Sequence, residues 1–511
     1  MFFQRLTALL GDCVIEASGD MARDPAGISN DHRRIGPGDL FVCISGYVND
    51  GHAYAAGALE NGAASIISEK PMDALGLPPE LADRIKTFIR VADARLALAA
   101  ASSVFYGEPS KRLALTGVTG TKGKTTTTYM IRSILRAAGI KTGLIGTVEN
   151  FIGDEAFPST ETTPESVALA GYLSSMADGG CEHAVMEVSS QGLALRRVEY
   201  CDFDVGVFTN FYNDHISPNE HSDLDDYFRA KAKLFSLCKK AVVNADMPVY
   251  EAVLEAALSG GACGRALSYS ADEKSENFSK AEVRASEIEL INDKKKVYTR
   301  FHVETPWYSR NMTVNMPGRY NVSNALAAIS VCGLYGIPED CVARGLSEVS
   351  VRGRTELISE GQGFAVLVDY AHNAASLEAL LKMLHEYEFN KITTVFGCGG
   401  NRARDRRFDM GEVSGRLSGF TVVTSDNPRK EEPRKIIADI ECGLHRTDGR
   451  YMVIEDRAEA IEFAISNAAD GDLVLIAGKG HEATQTFADR TIPFDDASVA
   501  RGCLRKIPRQ S

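Results

Sequence analysis

A short apolar run, Leu113 to Val118, ends in a stretch of glycines, lysines and threonines, and a helical pattern begins at once: Gly117-Val-Thr-Gly-Thr-Lys-Gly-Lys-Thr-Thr-Thr-Thr128. A strand that turns into a helix through such a loop gathers backbone N–H groups and the positive end of the helix dipole at one point. That arrangement suits a phosphate. Lys124 can reach the outer phosphates, and the Thr125 hydroxyl can meet Mg2+. The spacing departs from the ordinary P-loop, because a strict G-x-x-x-x-G-K-[ST] needs glycine at 118, where Val118 stands. The working core is Gly120-Thr121-Lys-Gly123-Lys124-Thr125-Thr126, and these residues are expected to bind ATP.

With 511 residues the chain has room for about three domains of roughly 150 residues each. Hydrophobic residues at 44% and charged residues at 24% fit a globular protein, and the net charge of −13 disfavours a nucleic-acid binder that works by neutralising phosphates. An anionic substrate must then be held by a local basic patch against the net field. The 11 cysteines form no C-x-x-C pair, which reads as reduced thiols rather than a disulfide framework or zinc site. The N-terminus does not have the pattern of a signal peptide, and no stretch approaches 18 consecutive apolar residues. A cytoplasmic enzyme without membrane insertion is expected.

The order of elements predicts three α/β units, at 1–108, 109–346 and 347–511. In the first, strand-like runs (Leu40–Ile44, Ala64–Ile67, Thr87–Val91) surround a helical stretch at Ala53–Glu60. The middle unit follows the phosphate loop with a helix to Ala138 and strands at Thr142–Val148, Ala184–Val188, Val205–Thr209 and Lys240–Val243. Strand–helix alternation implies a doubly wound, mostly parallel sheet. From about 281 to 316 consecutive strand-like runs suggest an antiparallel insertion or edge. The third unit, with strands at Phe364–Val368, Ile392–Phe396, Phe420–Thr424 and Leu473–Ile476, reads as another open α/β sheet.

Polar residues at strand ends carry the chemistry, since open α/β sheets bind ligands beyond the carboxyl ends of their strands. Glu187 follows an apolar strand and is placed to hold Mg2+ directly or through water. His215, in Asn213-Asp-His215, ends near the same edge; alone it reads as an ordinary polar residue, and beside a metal and phosphates as a ligand. Lys231 and Lys233 lie two apart on different faces of one helix, and composition alone makes both solvated. Downstream, Asp369-Tyr-Ala-His372, Gly397-Cys-Gly-Gly400, Thr424-Ser-Asp-Asn-Pro-Arg429 and Ala477-Gly-Lys-Gly-His-Glu482 close four strands and are expected to converge on one rim. Arg402, Arg404, Arg406 and Arg407 follow the glycine turn and read as an anion site.

Taken together, these blocks resemble the Mur ligase family, and most of all its members that add the third residue of the peptidoglycan stem peptide. The likeness also rests on Asp31-His-Arg33 with Pro37-Gly-Asp-Leu-Phe41, Glu161-Thr-Thr-Pro164, Ala230-Lys231, Gly318-Arg-Tyr-Asn-Val-Ser-Asn324 and Gly353-Arg-Thr-Glu356. It implies a UDP-binding N-terminal domain, a central ATPase domain and a Rossmann-like C-terminal domain that binds the amino acid. It also implies ATP-dependent ligation through an acyl phosphate. A monomer that handles no nucleic acid is expected. By the same resemblance Thr125, Glu187, His215 and Lys231 bind Mg2+, Lys231 is N6-carboxylated, and Lys124, Lys231 and His215 form the catalytic set. Asn321, Arg354 and Asp369 contact ATP, while Thr162, Thr163, Ser189 and Arg197 hold the UDP-N-acetylmuramoyl-dipeptide. Arg402, Asp426, Asn427, Arg429, Gly478 and Glu482 hold the incoming amino acid.

The Asp426-Asn-Pro-Arg429 form accompanies meso-diaminopimelate in this family, and a physical reason supports it. The far end of that molecule carries a carboxylate that a guanidinium can bind bidentately, whereas lysine has only an ammonium there. The alternatives are the same ligase using L-lysine, another Mur-type or folylpolyglutamate-type ligase, and a P-loop switch that binds ATP without turnover. Four positions depart from the family pattern: His32 for serine, Asn401 and Ala403 for two aspartates, Asn373-Ala374 for Thr/Asn-Pro, and Leu195 where some members have glutamine.

Overall fold

A computed structural model describes all residues except 47–48, 214–215, 218–219, 261–264, 294–295 and 508–511. The chain is an α/β protein of three domains. Its contacts divide it into two compact units: Met1–Tyr269 with Ser279–Ala281 and Ala327–Ile337, and Ser270–Phe278 with Glu282–Leu326 and Pro338–Ser511.

The first unit holds two sheets. Strands β1 (Val14–Gly19), β2 (Ile28–Ser29), β3 (Leu40–Val42), β4 (Ser65–Ser68) and β5 (Thr87–Val91) form a five-stranded sheet in the order β1-β5-β4-β3-β2. The second sheet carries the phosphate loop. Its strands are β6 (Ala114–Thr119), β7 (Thr142–Ile145), β8 (Glu149–Ile152), β9 (Glu155–Pro158), β10 (His183–Glu187), β11 (Phe203–Phe208), β12 (Cys238–Asn244) and β13 (Arg265–Ser270). They run in the order β13-β12-β11-β6-β10-β7-β8-β9. From β13 to β7 every pairing is parallel, and β7-β8-β9 closes one side as an antiparallel meander. Parallel strands covered on both faces read as unbroken apolar runs; Ala184, Val185 and Met186 of β10 are at most 1% exposed.

β6 lies between β10 and β11, so the chain passes to opposite sides of it in turn. Ligands bind at such a reversal of strand order. Residue 117 is glycine where the Phe203 ring of β11 lies against β6: a Cβ there would stand 2.7 Å from that ring.

In the second unit β14 (Val283–Asn292), β15 (Val297–Glu304) and β16 (Ser309–Val314) form an antiparallel meander, as the run of strand-like segments suggests. A six-stranded sheet follows, from β17 (Glu356–Leu357), β18 (Ala365–Asp369), β19 (Ile392–Phe396), β20 (Phe420–Val423), β21 (Tyr451–Val453) and β22 (Leu473–Ala477), in the order β17-β18-β22-β19-β20-β21. All its pairings are parallel except β17 with β18. Alternate residues of β22 feed two cores, Leu473, Leu475 and Ala477 on one face and Val474 and Ile476 on the other. Helices therefore cover both faces, as a doubly wound sheet requires. A hairpin of β23 (Thr484–Thr486) and β24 (Thr491–Pro493) completes the unit.

Two elements differ from the sequence reading. The strand read through Val148 stops at Ile145, because the chain bends around the Glu187 side chain: a Cβ on Gly146 would lie 2.4 Å from Glu187 Oε1. The helix read from Ala53 begins at Ala55, behind a 3-10 turn (Gly51–Tyr54) in which His52 N donates to the Asp50 carboxylate.

Candidate active site

The phosphate loop joins β6 to the helix Lys124–Ala137. Gly120 and Gly123 adopt φ of 142° and 83°, which favour glycine, and a Cβ on Gly120 would lie 2.0 Å from Thr209 Oγ1. The loop is pinned from the next strand end: Lys122 N donates to Asn210 Oδ1 (2.8 Å), and Thr121 N to Asn210 O (3.0 Å). Lys124 Nζ folds onto the loop carbonyls of Gly120 (2.9 Å) and Thr121 (3.2 Å). Thr126 is buried in the first helical turn.

Thr125 Oγ1 donates to Glu187 Oε2 at 2.9 Å. Glu187 is 1% exposed and also accepts from Thr147 N (2.8 Å) and Thr147 Oγ1 (3.1 Å). The carboxylate at the end of β10 thus faces the loop and not the solvent. A hydroxyl and a carboxylate in contact form a hard-oxygen pair of the kind Mg2+ takes, so these residues fit the ion. The third expected ligand, His215, lies outside the described residues, and among the described residues no three His, Cys, Asp or Glu side chains cluster as a metal site.

Lys231 corrects the expectation of a solvated helix. It is 1% exposed, its Nζ donates to Gly120 O at 2.9 Å, and it sits 4.6 Å from the centre of the Tyr227 ring. Tyr227 in turn donates its hydroxyl to Thr121 Oγ1 (3.2 Å). Lys231 therefore belongs to the loop's own scaffold.

Beside these residues lies a cavity of about 320 Å³ lined by Lys124, Lys231, Thr162, Thr163, Ser189 and Arg197, with Glu161, Ser190, Gln191, Glu220 and His221. All four residues expected to hold the muramoyl peptide line it. Thr163 Oγ1 links two chain segments, donating to Glu187 O (3.0 Å) and accepting from Ser189 N (2.9 Å). Thr162 Oγ1 meets Thr147 Oγ1 at 3.0 Å, and Ser189 Oγ accepts from Gly192 N (3.0 Å). Arg197 donates to Thr163 O (2.7 Å) and pairs with Glu161 (2.7 Å) and Glu165 (2.6 Å). The sequence reading missed Gln191, Glu220 and His221. His221 is 3% exposed, with Nδ1 bonded to Asp226 Oδ2 at 3.1 Å and Nε2 without a hydrogen-bond partner among the described residues. A histidine that caps no strand gives no signal in the sequence.

In the second unit, the parallel neighbours β18, β22, β19 and β20 bring their carboxyl ends to one rim, as expected. Asp369 accepts from Thr355 N (2.7 Å) and Ala371 N (2.8 Å); burial pushes its carboxyl up, against the opposing pull of the Arg354 charge. Arg354 lies over the Tyr370 ring at 4.9 Å. Burial, with Arg354 and Arg352 nearby, drives His481 down to about 4, and burial also lowers His372. Asn321 is fully buried, with its amide donating to Pro317 O (2.7 Å) and accepting from Asn324 Nδ2 (3.1 Å). A nucleotide contact through that side chain would require these bonds to exchange.

On the same rim, Asn427 Nδ2 donates to Glu482 Oε2 (2.7 Å), Gln485 Nε2 to Asp426 O (2.7 Å), and Arg429 Nη1 to Gly400 O (2.8 Å). Gly478 packs its α-carbon against Asp426, with φ of 113°. Exposed Arg402 acts electrostatically on Tyr370 together with Asp426 and Glu482. Half of the arginine cluster is structural, which corrects its reading as an anion site. Arg404 grips Asp439 with Nε and Nη2 (2.6–3.0 Å), and buried Arg407 pairs with Asp439 (3.0 Å) and Glu431 (2.8 Å). His32, the departure in the N-terminal block, stacks on Tyr54 with ring centres 4.7 Å apart.

Comparison with known proteins matches three consecutive family models: the Mur ligase family catalytic domain at residues 26–106, the Mur ligase middle domain at 118–332 and the Mur ligase glutamate ligase domain at 353–480. A protein of Caldanaerobacter subterraneus named UDP-N-acetylmuramoyl-L-alanyl-D-glutamate--2,6-diaminopimelate ligase is 40% identical over 501 residues, covering 98% of this chain and 99% of its own. A Bacillus velezensis protein of the same name is 42% identical, with 99% and 100% covered. A solved structure described by that name aligns with a TM-score of 0.72 at 28% identity, over 99% of each chain.

Proposed function

The chain belongs to the Mur ligase family of ATP-dependent acid–amino-acid ligases, and from that premise we propose that it joins meso-2,6-diaminopimelate to UDP-N-acetylmuramoyl-L-alanyl-D-glutamate, releasing ADP and phosphate, in cytoplasmic peptidoglycan precursor synthesis. The observation that carries the specificity is the rim where the Arg429 loop meets Glu482 through the bond from Asn427. The far end of diaminopimelate bears a carboxylate and an ammonium. A guanidinium suits the first and a glutamate the second, while lysine would leave the arginine unanswered.

The reaction needs a better electrophile than a carboxylate. Transfer of the γ-phosphoryl group from ATP to the dipeptide carboxylate makes an acyl phosphate; the amine attacks its carbonyl carbon, and inorganic phosphate leaves with the bonding pair. Lys124 and the loop amides of Gly120 and Gly123 neutralise charge on the phosphates, and the buried helix start fixes them before reaction. Thr162, Thr163, Ser189 and Arg197 hold the muramoyl peptide in the cavity beside the loop. Thr125 and Glu187, with His215 and a carboxylated Lys231, would hold Mg2+, which supplies positive charge to the phosphates when bound. Asn321, Arg354 and Asp369 are assigned to ATP, and Arg402, Asp426 and Gly478 to the amino acid. We place the domain boundaries at 108/109 and 346/347, supported by the three matched segments.

ADP release from purified protein tests the reading. It should require ATP, the UDP-muramoyl dipeptide and diaminopimelate together. Release that is indifferent to the acceptor, or absent with all three, would overturn it.

A further inference from the structure

We infer that Lys479 is a positioning residue for amine recognition: its buried ammonium fixes Asn427 and Glu482 so that one glutamate oxygen is presented to the distal ammonium of the incoming diamine. This rests on the function proposed above. The Lys479 side chain is 0% exposed, and a lysine is almost never so enclosed unless it is paired. Its Nζ has three acceptors in reach, Thr484 O at 2.6 Å, Glu482 Oε2 at 3.2 Å and Asn427 Oδ1 at 3.4 Å, one for each of its protons.

Asn427 Oδ1 also accepts from Thr486 N at 2.9 Å. Two donors on the oxygen side settle which way the amide faces, and so direct Nδ2 to Glu482 Oε2 at 2.7 Å. Lys479 and Asn427 thus both engage Oε2. The Glu482 side chain remains 33% exposed, which leaves Oε1 as the acceptor for a ligand. Without the buried charge the amide loses one reason to face as it does, and the carboxylate loses its anchor. A purely structural lysine would need only the Thr484 carbonyl, which ties the loop to β23.

The test compares Lys479→Met and Lys479→Gln with wild type in steady-state kinetics. The diaminopimelate KM should rise about tenfold or more, with kcat and both nucleotide KM values within about twofold. In a Glu482→Gln background the same substitutions should add little, because the group they position is already lost. Equal effects in both backgrounds, or a lowered melting temperature with an unchanged amine KM, would overturn the inference. If neither variant folds, the wild-type enzyme decides with 15N-labelled lysines. The buried ammonium signal should move on adding diaminopimelate and stay on adding ATP alone, and an unmoved signal sinks the idea. Wild-type protein that ligates no diaminopimelate would instead refute the proposed function.

Discussion

Lys231 shows how much a single side chain's surroundings decide. Enclosing an ammonium is costly unless its protons are bonded, and here one goes to Gly120 O while the Tyr227 ring flanks the charge. Carboxylation by CO2 would convert this cation to an anion beside the phosphate loop, of the charge that would favour Mg2+. Lys231→Ala should lower turnover about a hundredfold or more, with partial recovery on adding short-chain carboxylates; unaltered turnover would exclude the carbamate. Arg429→Ala should raise the diaminopimelate KM by about 2–3 kcal/mol equivalent while leaving the ATP KM near its original value, read from kinetics with each substrate varied in turn. At this scale the sequence was legible where a residue sits in a spaced motif at a strand end, as Thr125 and Glu187 do. It was silent on Lys231 against Lys233, since only the folded helix says which one is buried. It misled on Arg404 and Arg407, whose partners Asp439 and Glu431 lie 24 to 35 residues further along.

At the scale of elements, the site is a consequence of strand order. The strand that ends in the phosphate loop stands between neighbours reached in opposite directions, and the glycines at 117 and 120 admit Phe203 and Thr209 from the β11 side. The long parallel strands were legible as apolar runs. The short strands β8, β9, β17, β23 and β24 were not, because two to four residues carry no periodicity. The loop after β22 makes a pH prediction. His481 is held down to about 4, against about 6.5 in an unfolded chain. Between those values the unfolded chain binds the extra proton, so stability rises with pH through the window and is fully present above it. His372, lowered by burial, acts in the same sense. Urea midpoints measured from pH 4 to pH 7 should climb for wild type and climb less for His481→Gln. Identical slopes would contradict the assignment.

For the whole molecule, a net charge of −13 leaves anionic substrates dependent on local cations, and the described cavity gathers Lys124, Arg197 and Lys231. The first unit carries the phosphate loop and that cavity, and the second carries the rim of Arg429, Asn427, Lys479 and Glu482. The proposed reaction draws on both. Its central claim is that this chain condenses a muramoyl dipeptide with a dicarboxylic diamine. The direct measurement is the mass of the product formed by purified protein with ATP, Mg2+, UDP-N-acetylmuramoyl-L-alanyl-D-glutamate and equal amounts of meso-diaminopimelate, L-lysine and D-alanyl-D-alanine. The account predicts one new species, the dipeptide plus diaminopimelate less water. A lysine adduct, a D-alanyl-D-alanine adduct or no condensation product would contradict it.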